Sequence, residues 1–459
     1  MSSTTAQTGS STQTERHARQ ASGGNDHRSH VSPGEMALAV IIGRSSEAFD
    51  FFVFGIACVL VFPAIVFPFA DPVVGTIYSF AVFSLAFIAR PIGSIVFMAI
   101  DREHGRSTKL TIALFLLGGS TAAIAFLPGY NTIGAYAIAA LILFRLGQGF
   151  ALGGAYDGLA SLLALNAPER HRAWYAMMPQ LGAPIGFIIA SGLFAFFYLN
   201  LSEGDFQGWG WRYPFFVAFT INVVALFAKL RLIATPEYAE LYESTHLAPT
   251  RVSKLVESRG TEVIVGAFVP LASFALFHLV TIFPISYIEL YSNRSIGEFL
   301  LTQLAGAGIA LICVMASGSI ADRIGRRKHL GYCAAAIAVF SVATPFLFAA
   351  GYPGQTAFIL IGFALLGLSH GQAAGAVASN FTNYDRYTGS AITSDLSWLI
   401  GAGFAPLVAL LLTSRFGVGA IGLYLMSGAI CTLVALWFNR NRRANEMSGP
   451  SPDLSLIHI

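Results

Sequence analysis

Twelve long apolar runs, separated by shorter polar segments, cover most of this sequence. Each run is near the roughly 20 apolar residues that an α-helix needs to cross a bilayer. The runs are continuous, whereas barrel strands alternate polar and apolar residues, so the pattern predicts spanning helices, which satisfy their own backbone hydrogen bonds in lipid. The runs are 36–66, 73–99, 108–127, 133–165, 173–199, 212–231, 262–290, 299–320, 330–350, 355–380, 389–413 and 417–438.

One long polar segment, 235–260, divides the runs into two groups of six. The halves look related, because DREHGR (101–106) follows the second run and DRIGRR (322–327) follows the eighth. We therefore predict an all-α membrane protein of twelve transmembrane helices in two pseudo-symmetric six-helix bundles. The predicted parts are a disordered cytoplasmic tail (1–35), a first bundle (36–234), a cytoplasmic linker (235–261), a second bundle (262–438) and a cytoplasmic tail (439–459).

Composition and charge agree with a membrane protein. Of the 459 residues, 55% are hydrophobic and 11% charged, whereas about 25% are charged in a typical soluble domain. With the N-terminus inside, and with charges at the run ends (Lys109, Arg212, Lys229 and Arg231) counted in the adjoining segments, 21 of the 27 Lys and Arg lie in inside segments, three in outside loops and three within the runs. This asymmetry predicts cytoplasmic N and C termini in a bacterial inner membrane, and explains the net charge without nucleic acid. The four cysteines show no metal-ligand spacing, so we expect no metal site.

Charged side chains inside apolar runs are costly, so each one marks a candidate site. The first run places Arg44, Glu47 and Asp50 on one helix face. Two interpretations remain open: a cluster that faces a transport cavity, or an Arg44–Glu47 pair that only neutralises itself. Arg90, near the end of the second run, either binds an anion or pairs with Glu47 or Asp50.

The fourth run contains Arg145 and Asp157, with Gly149 and Gly153 spaced for close helix packing. Asp157 could carry a proton, or it could lie solvated at the inner end of its helix. The further candidate substrate ligands are Gln180, His278, Gln372 and Asp395. Instead of binding substrate, His278 could be a packing residue and Gln180 could only bridge two helices.

The two related inner loops suggest a conformational latch. Asp322 could sit at a helix N-terminus and pair with Arg, holding neighbouring helices in one conformation. The alternative is a positively charged anchor that only fixes topology. The candidate latch residues are Asp101, Arg102, Asp322, Arg323 and Arg326.

Six short motifs carry a resemblance to one family of carriers. They are GRSSEAFDF (43–51), ARPIG (89–93), Arg145 with Gly149 and Gly153, GWRYPF (210–215), TPE (235–237) and RYTG (386–389). Over about residues 36–440 the chain resembles the major facilitator superfamily and, within it, the metabolite:proton symporter family. It departs from that pattern in its first inner loop, at Ala155, where Glu is common, and at Asp395, where an uncharged polar residue is usual.

The resemblance implies proton-driven symport of a small polar metabolite, an organic acid or a zwitterionic osmolyte, by alternating access. A carboxylate among Glu47, Asp50 and Asp157 would take the proton, and Arg90 or Arg145 would pair with an anionic substrate or reset the carboxylate. The expected partners are the metabolite, protons and the bilayer; we expect a monomer and no cofactor beyond the proton gradient. The alternatives are a uniporter or drug/proton antiporter of the same fold, and a membrane sensor. The sequence shows no nucleophile–base or metal constellation, so we do not expect an enzyme.

Overall fold

The computed structural model describes residues 33–155, 163, 167–233, 249–378, 381 and 385–448. Among these residues no strand occurs, and twelve long helices follow one another along the chain. The first is α1, Pro33–Leu60; α2 (72–104) and α3 (106–125) are the two halves of the bent helix Pro72–Ala125. The others are α4 Ala135–Gly154, α5 Arg172–Asn200, α6 Glu203–Arg231, α7 Leu271–Tyr291, α8 Ile296–Ile324, α9 Arg326–Ala349, α10 Gly351–Ala378, α11 Arg386–Phe416 and α12 Val418–Asn439.

These helices account for the twelve predicted spans. In the described part of the chain, ten helices are long and apolar enough to cross a membrane, with Pro72–Ala125 counted once. That helix has 54 residues and, at about 1.5 Å per residue, suffices for two crossings. The remaining span is α1, which carries three charged residues in its apolar part. The predicted all-helical membrane fold is therefore confirmed.

Both halves of the chain bend at the same point of their repeated motif. Gly105 separates α2 from α3 with φ 81°, and Gly325 separates α8 from α9 with φ 88°. A side chain at either position would be strained, because positive φ values favour glycine. The similarity between the two loop sequences thus extends to their backbone conformation.

The linker and the tails are described in part. A helix runs over Val252–Phe268, with non-helical angles at Arg259, and continues past Pro270 into α7. The last helix extends through Ile421–Ser448, beyond the predicted end of the final span. Residues 1–32, 234–248 and 449–459 lie outside the described residues.

Backbone-to-backbone packing joins α2 to α4, as the glycine spacing in α4 predicts. A Cβ on Gly149 would lie 2.2 Å from the Ala86 carbonyl oxygen, and one on Gly153 would lie 2.4 Å from the Arg90 carbonyl oxygen. Gly93 of α2 approaches the Phe150 backbone in the same way. These helices therefore leave no room for a side chain at their contact, which fixes where Arg90 lies.

The two bundles meet along α2 and α11 and along α5 and α8. Ser84 Oγ of α2 donates a 2.9 Å hydrogen bond to the Gly403 carbonyl of α11. The rings of Phe52 in α1 and Phe277 in α7 also stack across the boundary, with centroids 5.6 Å apart. One apolar core therefore extends across both halves, and the main cavity lies beside it.

Candidate functional site

A cavity of about 590 Å³ lies between the two bundles. Its first wall comes from α1, α2 and α5, and its second from α7, α10 and α11. Aromatic rings line its centre: Phe51, Phe52, Phe274, Phe277 and Trp398. From there it extends toward one end of the bundle, which carries the turns at Gly105 and Gly325 and is called the basic end below. Its size and its place between two repeats are typical of a small-molecule site.

The charged lining of the cavity is predominantly positive. Among the described lining residues, five arginines and one glutamate carry charge: Arg44, Arg90, Arg172, Arg326, Arg386 and Glu47. Guanidinium groups bind carboxylates through paired hydrogen bonds, and a cleft lined by one sign of charge attracts the opposite one. The arrangement therefore favours an anionic ligand over a cationic one.

Glu47 lies at the edge of the cavity between two cations. Its Oε2 is 2.9 Å from Arg44 Nη1, and its Oε1 is 2.7 Å from Lys229 Nζ of α6. Lys229, counted above with the inner loops, is buried and also donates to the Ala155 carbonyl at 3.3 Å. The self-neutralising Arg44–Glu47 pair thus exists, but it is part of a larger network. Lys229 was detectable in the sequence as a charge one turn inside the sixth run.

Asp50 does not face the cavity, and the expected single cluster on α1 is wrong in this respect. Its side chain points into the first bundle, where Thr121 Oγ1 donates a hydrogen bond to it. Gln148 Nε2 donates at 3.3 Å and Asn222 Nδ2 at 3.4 Å. No Lys or Arg among the described residues lies within 4.0 Å of Asp50, although its carboxyl is fully buried. Helices α3, α4 and α6 therefore enclose a carboxyl group that has polar neighbours but no ion-pair partner within the described part of the chain.

Arg145 is connected to Asp50 through one intervening amide. Its Nη1 donates to Gln148 Oε1 at 3.0 Å, and its Nε donates to the Phe83 carbonyl at 3.2 Å. The guanidinium lies 4.1 Å from the ring centroid of Phe54. Arg145 is fully buried, and its Nη2 makes no hydrogen bond to any residue that the structure describes. One side-chain amide, one backbone carbonyl and cation–π contacts therefore hold Arg145 in place. Asp157 lies outside the described residues.

Arg90 pairs with neither Glu47 nor Asp50 but with Asp395 of the other bundle. Arg90 Nε lies 2.7 Å from Asp395 Oδ1, and Ser94 Oγ donates to Asp395 Oδ2. The guanidinium lies 6.0 Å from the Trp398 ring centroid. Sequence reasoning identified both charged residues separately but did not pair them, since they are 305 positions apart.

The uncharged candidates have different environments. Gln180 lines the cavity, whereas His278 does not: it is fully buried and stacks on Phe51 with ring centroids 5.2 Å apart. The packing alternative therefore describes His278 in this structure. Gln372 also lies off the lining and donates to the Ala173 carbonyl at 3.2 Å. His370, which was not among the candidate ligands, does line the cavity, and no described residue hydrogen-bonds its ring.

At the basic end, Asp322 connects the two bundles. Its carboxylate accepts hydrogen bonds from the backbone N–H groups of Ala173 and Trp174, at 2.8 and 3.1 Å. These groups belong to the first turn of α5, where a negative charge is favoured. Arg326 instead donates to Gln372 Oε1 at 3.2 Å and to the Gly375 carbonyl at 2.7 Å.

The corresponding loop of the first half is organised differently. Asp101 is buried within its own bundle, 3.0 Å from Arg106 Nη2 and 3.2 Å from Lys109 Nζ. Lys109 Nζ in turn donates to the hydroxyl of Tyr387 in α11 at 2.8 Å. Arg102 donates to the Thr250 carbonyl at 3.3 Å. Arg323 is exposed. In the first half, the link between bundles therefore runs through Lys109 and Tyr387.

Comparisons with known proteins agree with this geometry. The family model for the Major Facilitator Superfamily matches residues 40–394. The inner membrane metabolite transport protein YhjE of Escherichia coli (strain K12) is 35% identical over 435 residues, which cover 92% of this chain and 98% of that protein. The shikimate transporter of the same strain is 28% identical over 422 residues, covering 89% of this chain and 95% of that one. A crystal structure of a D-xylose-proton symporter has the same fold, with a TM-score of 0.68 at 17% identity over 88% of this chain and 96% of that one.

Proposed function

This chain belongs to the major facilitator superfamily, and on that premise we propose that it is a proton-coupled symporter of a small organic anion. As a member of that family it is a secondary transporter in a membrane, not an enzyme. The observation that carries the choice of substrate is the charge of the cavity lining, where five described arginines face one glutamate. A zwitterionic osmolyte, the other substrate class considered, would present a cation that this lining does not favour.

Asp50 is the proposed proton acceptor. A buried carboxylate without a paired cation is costly, and binding a proton removes that cost. Thr121, Gln148 and Asn222 donate hydrogen bonds to the side chain. Protonation of Asp50 would remove the negative charge to which Gln148 donates, and the hydrogen bond from Arg145 to Gln148 would weaken as a result. Arg145 lies against Phe51, one of the aromatic rings that line the cavity. Glu47 is a less favourable acceptor because Arg44 and Lys229 already compensate its charge.

Alternating access would proceed by rocking the two bundles about the cavity. The basic-end contacts of Asp322 and Tyr387 would form when the cavity is closed toward that side and break when it opens. In this proposal the basic end and both termini face the cytoplasm of a bacterial cell. The protein acts as a monomer in the inner membrane, and the proton gradient is its only energy source. The small metabolite and the proton are its ligands, and no cofactor takes part.

Uptake into proteoliposomes tests the proposal. Shikimate, benzoate and acetate would be offered as organic anions and glycine betaine as a zwitterion, with and without an inward proton gradient. Uptake by protein-free liposomes would be subtracted, because neutral acetic and benzoic acid cross lipid without a carrier. We expect an anion to accumulate only with the gradient, and a protonophore to abolish the accumulation. Uptake that is indifferent to the gradient would indicate a uniporter, and efflux driven by the same gradient would indicate an antiporter; either result rejects symport.

A further inference from the structure

The Arg90–Asp395 ion pair spans the boundary between the two bundles at the wall of the cavity. Arg90 belongs to α2 and Asp395 to α11. Of the two side chains, Arg90 is 16% exposed and Asp395 only 4%. Arg90 lines the cavity, whereas Asp395 lies behind it, held also by Ser94. The pair is therefore accessible from the cavity through its arginine alone.

One edge of the Arg90 guanidinium remains available to a ligand. Asp395 Oδ1 lies 2.7 Å from Nε, and neither Nη nitrogen donates a hydrogen bond to any described residue. A guanidinium fork binds a carboxylate through two parallel N–H groups. A substrate carboxylate on the Nη edge would share the guanidinium with Asp395, so two negative charges would face one positive charge. In a partly desolvated wall such like charges repel each other appreciably.

The geometry points to Asp395 as a specificity-determining residue that competes with the substrate carboxylate for Arg90 and so lowers the affinity of the cavity for anions. This inference rests on the proposed function, since it assumes an anionic substrate. Asp395 makes release possible: a fully uncompensated Arg90 would hold the anion and slow turnover.

Because the competitor sits on the other bundle, its effect depends on conformation. Beside the ion pair, Phe87 of α2 stacks on Trp398 of α11 with ring centroids 6.3 Å apart. Trp398–Gly403 is a π-helical segment, a feature frequent at functional sites. Separating α2 from α11 would carry Asp395 away from Arg90 and raise the affinity for the anion. Closing them would lower it. Affinity would thus alternate with access.

The other charged and titratable groups around Asp395 do not replace Arg90. Arg44 of α1 acts on it electrostatically, and His370 of α10 packs on the neighbouring Trp398 ring. From the helix Val252–Phe268, the contact to this part of α11 is an uncharged one, from Ser397 Oγ to the Ala267 carbonyl at 2.9 Å. Arg90 is therefore the cation on which Asp395 exerts its main effect.

Substitution of Asp395 by Asn tests the inference, with Asp395→Ser as a second variant if the first fails to fold. Binding of acetate, benzoate and shikimate, and of the corresponding neutral amides, would be measured on the purified full chain by thermal shift and calorimetry. We expect Asp395→Asn to bind a carboxylate about tenfold more tightly, with no change for the amide. Its uptake should show a lower KM and a lower kcat, a split that a merely structural pair would not produce. Arg90→Gln should abolish the preference for carboxylate over amide.

Asp205→Asn is the control, because it removes the same charge at an exposed position, where Asp205 accepts a hydrogen bond from Ser202 at 2.7 Å. It should leave the discrimination between carboxylate and amide unchanged. If the wild type binds a carboxylate and the Asp395 variants bind it equally or more weakly, the inference is overturned while the proposed function stands. If the wild type prefers no carboxylate over its amide, the anionic substrate is rejected and the inference fails with it.

Discussion

Replacing Asp50 by Asn should uncouple transport from the proton gradient without unfolding the protein. Asn has nearly the same shape and keeps one oxygen, which can still accept from Thr121 and Asn222. Its amide nitrogen would face Gln148 Nε2, so the 3.3 Å hydrogen bond between these side chains is lost. One buried donor left unsatisfied costs about 1–3 kcal/mol. Gln148 still donates to Thr121 at 2.8 Å, which limits the disturbance.

The effect on accumulation follows from the proton stoichiometry. One pH unit corresponds to about 1.36 kcal/mol per proton, which is about a tenfold concentration ratio. One proton carried with one monovalent anion is electroneutral, so the wild type should concentrate the anion about tenfold per unit of inward pH gradient. Asn cannot take up a proton, so the variant should reach a ratio of about one. It should still exchange labelled for unlabelled substrate at equal pH.

The assay compares steady-state accumulation with counterflow in proteoliposomes that contain equal amounts of each protein. Ser46→Ala is the control, because Ser46 donates to Asn222 at 2.6 Å and leaves the Asp50 carboxyl in place. This variant should accumulate substrate as the wild type does. An Asp50→Asn protein that still accumulates about tenfold per pH unit would refute the assignment of the proton to Asp50.

Two further predictions concern stability and are measured as melting temperatures in detergent. Gly149→Ala should destabilise the fold by about 1–3 kcal/mol, because its Cβ would meet the Ala86 carbonyl oxygen at 2.2 Å. Gly119→Ala is the control and should be neutral or slightly stabilising, because no atom lies within 4 Å of its Cβ. Equal melting temperatures of the two variants would contradict this account. Lys229→Met should destabilise by about 1.5–3 kcal/mol, because it removes the cation 2.7 Å from the partly buried Glu47 while Arg44 stays in place. Adding Glu47→Gln should restore part of the loss. A single variant that melts like the wild type would show that Arg44 alone compensates Glu47.

The sequence determined the architecture because hydrocarbon imposes a local requirement. Each span must be apolar along its own length, so the number of helices can be read without knowing how they pack. Repeated motifs are local too, and both inner loops do bend at the glycine of the motif. Glycine spacing in α4 likewise predicted a close helix contact, although the partner helix could not be named.

The candidate site could be predicted only as a set of residue types. A charge inside an apolar run indicates that a polar partner exists, but the partner comes from a distant part of the chain. Helix periodicity placed Glu47 and Asp50 on one face of α1, about 60° apart. The tertiary structure decided that Glu47 borders the cavity beside Lys229, whereas Asp50 points between α3, α4 and α6.

The pairing of Arg90 with Asp395 has the same origin. Burying either charge alone would be costly, so the sequence shows that each needs a compensating partner. It does not show that they are each other's partner, and they were therefore predicted as two independent substrate ligands. Only the approach of α2 to α11 brings the guanidinium and the carboxylate to 2.7 Å. Hydrophobicity adds up span by span along the chain, while the compensation of a buried charge depends on which helices become neighbours. That is why the fold followed from the sequence and the electrostatics of the site did not.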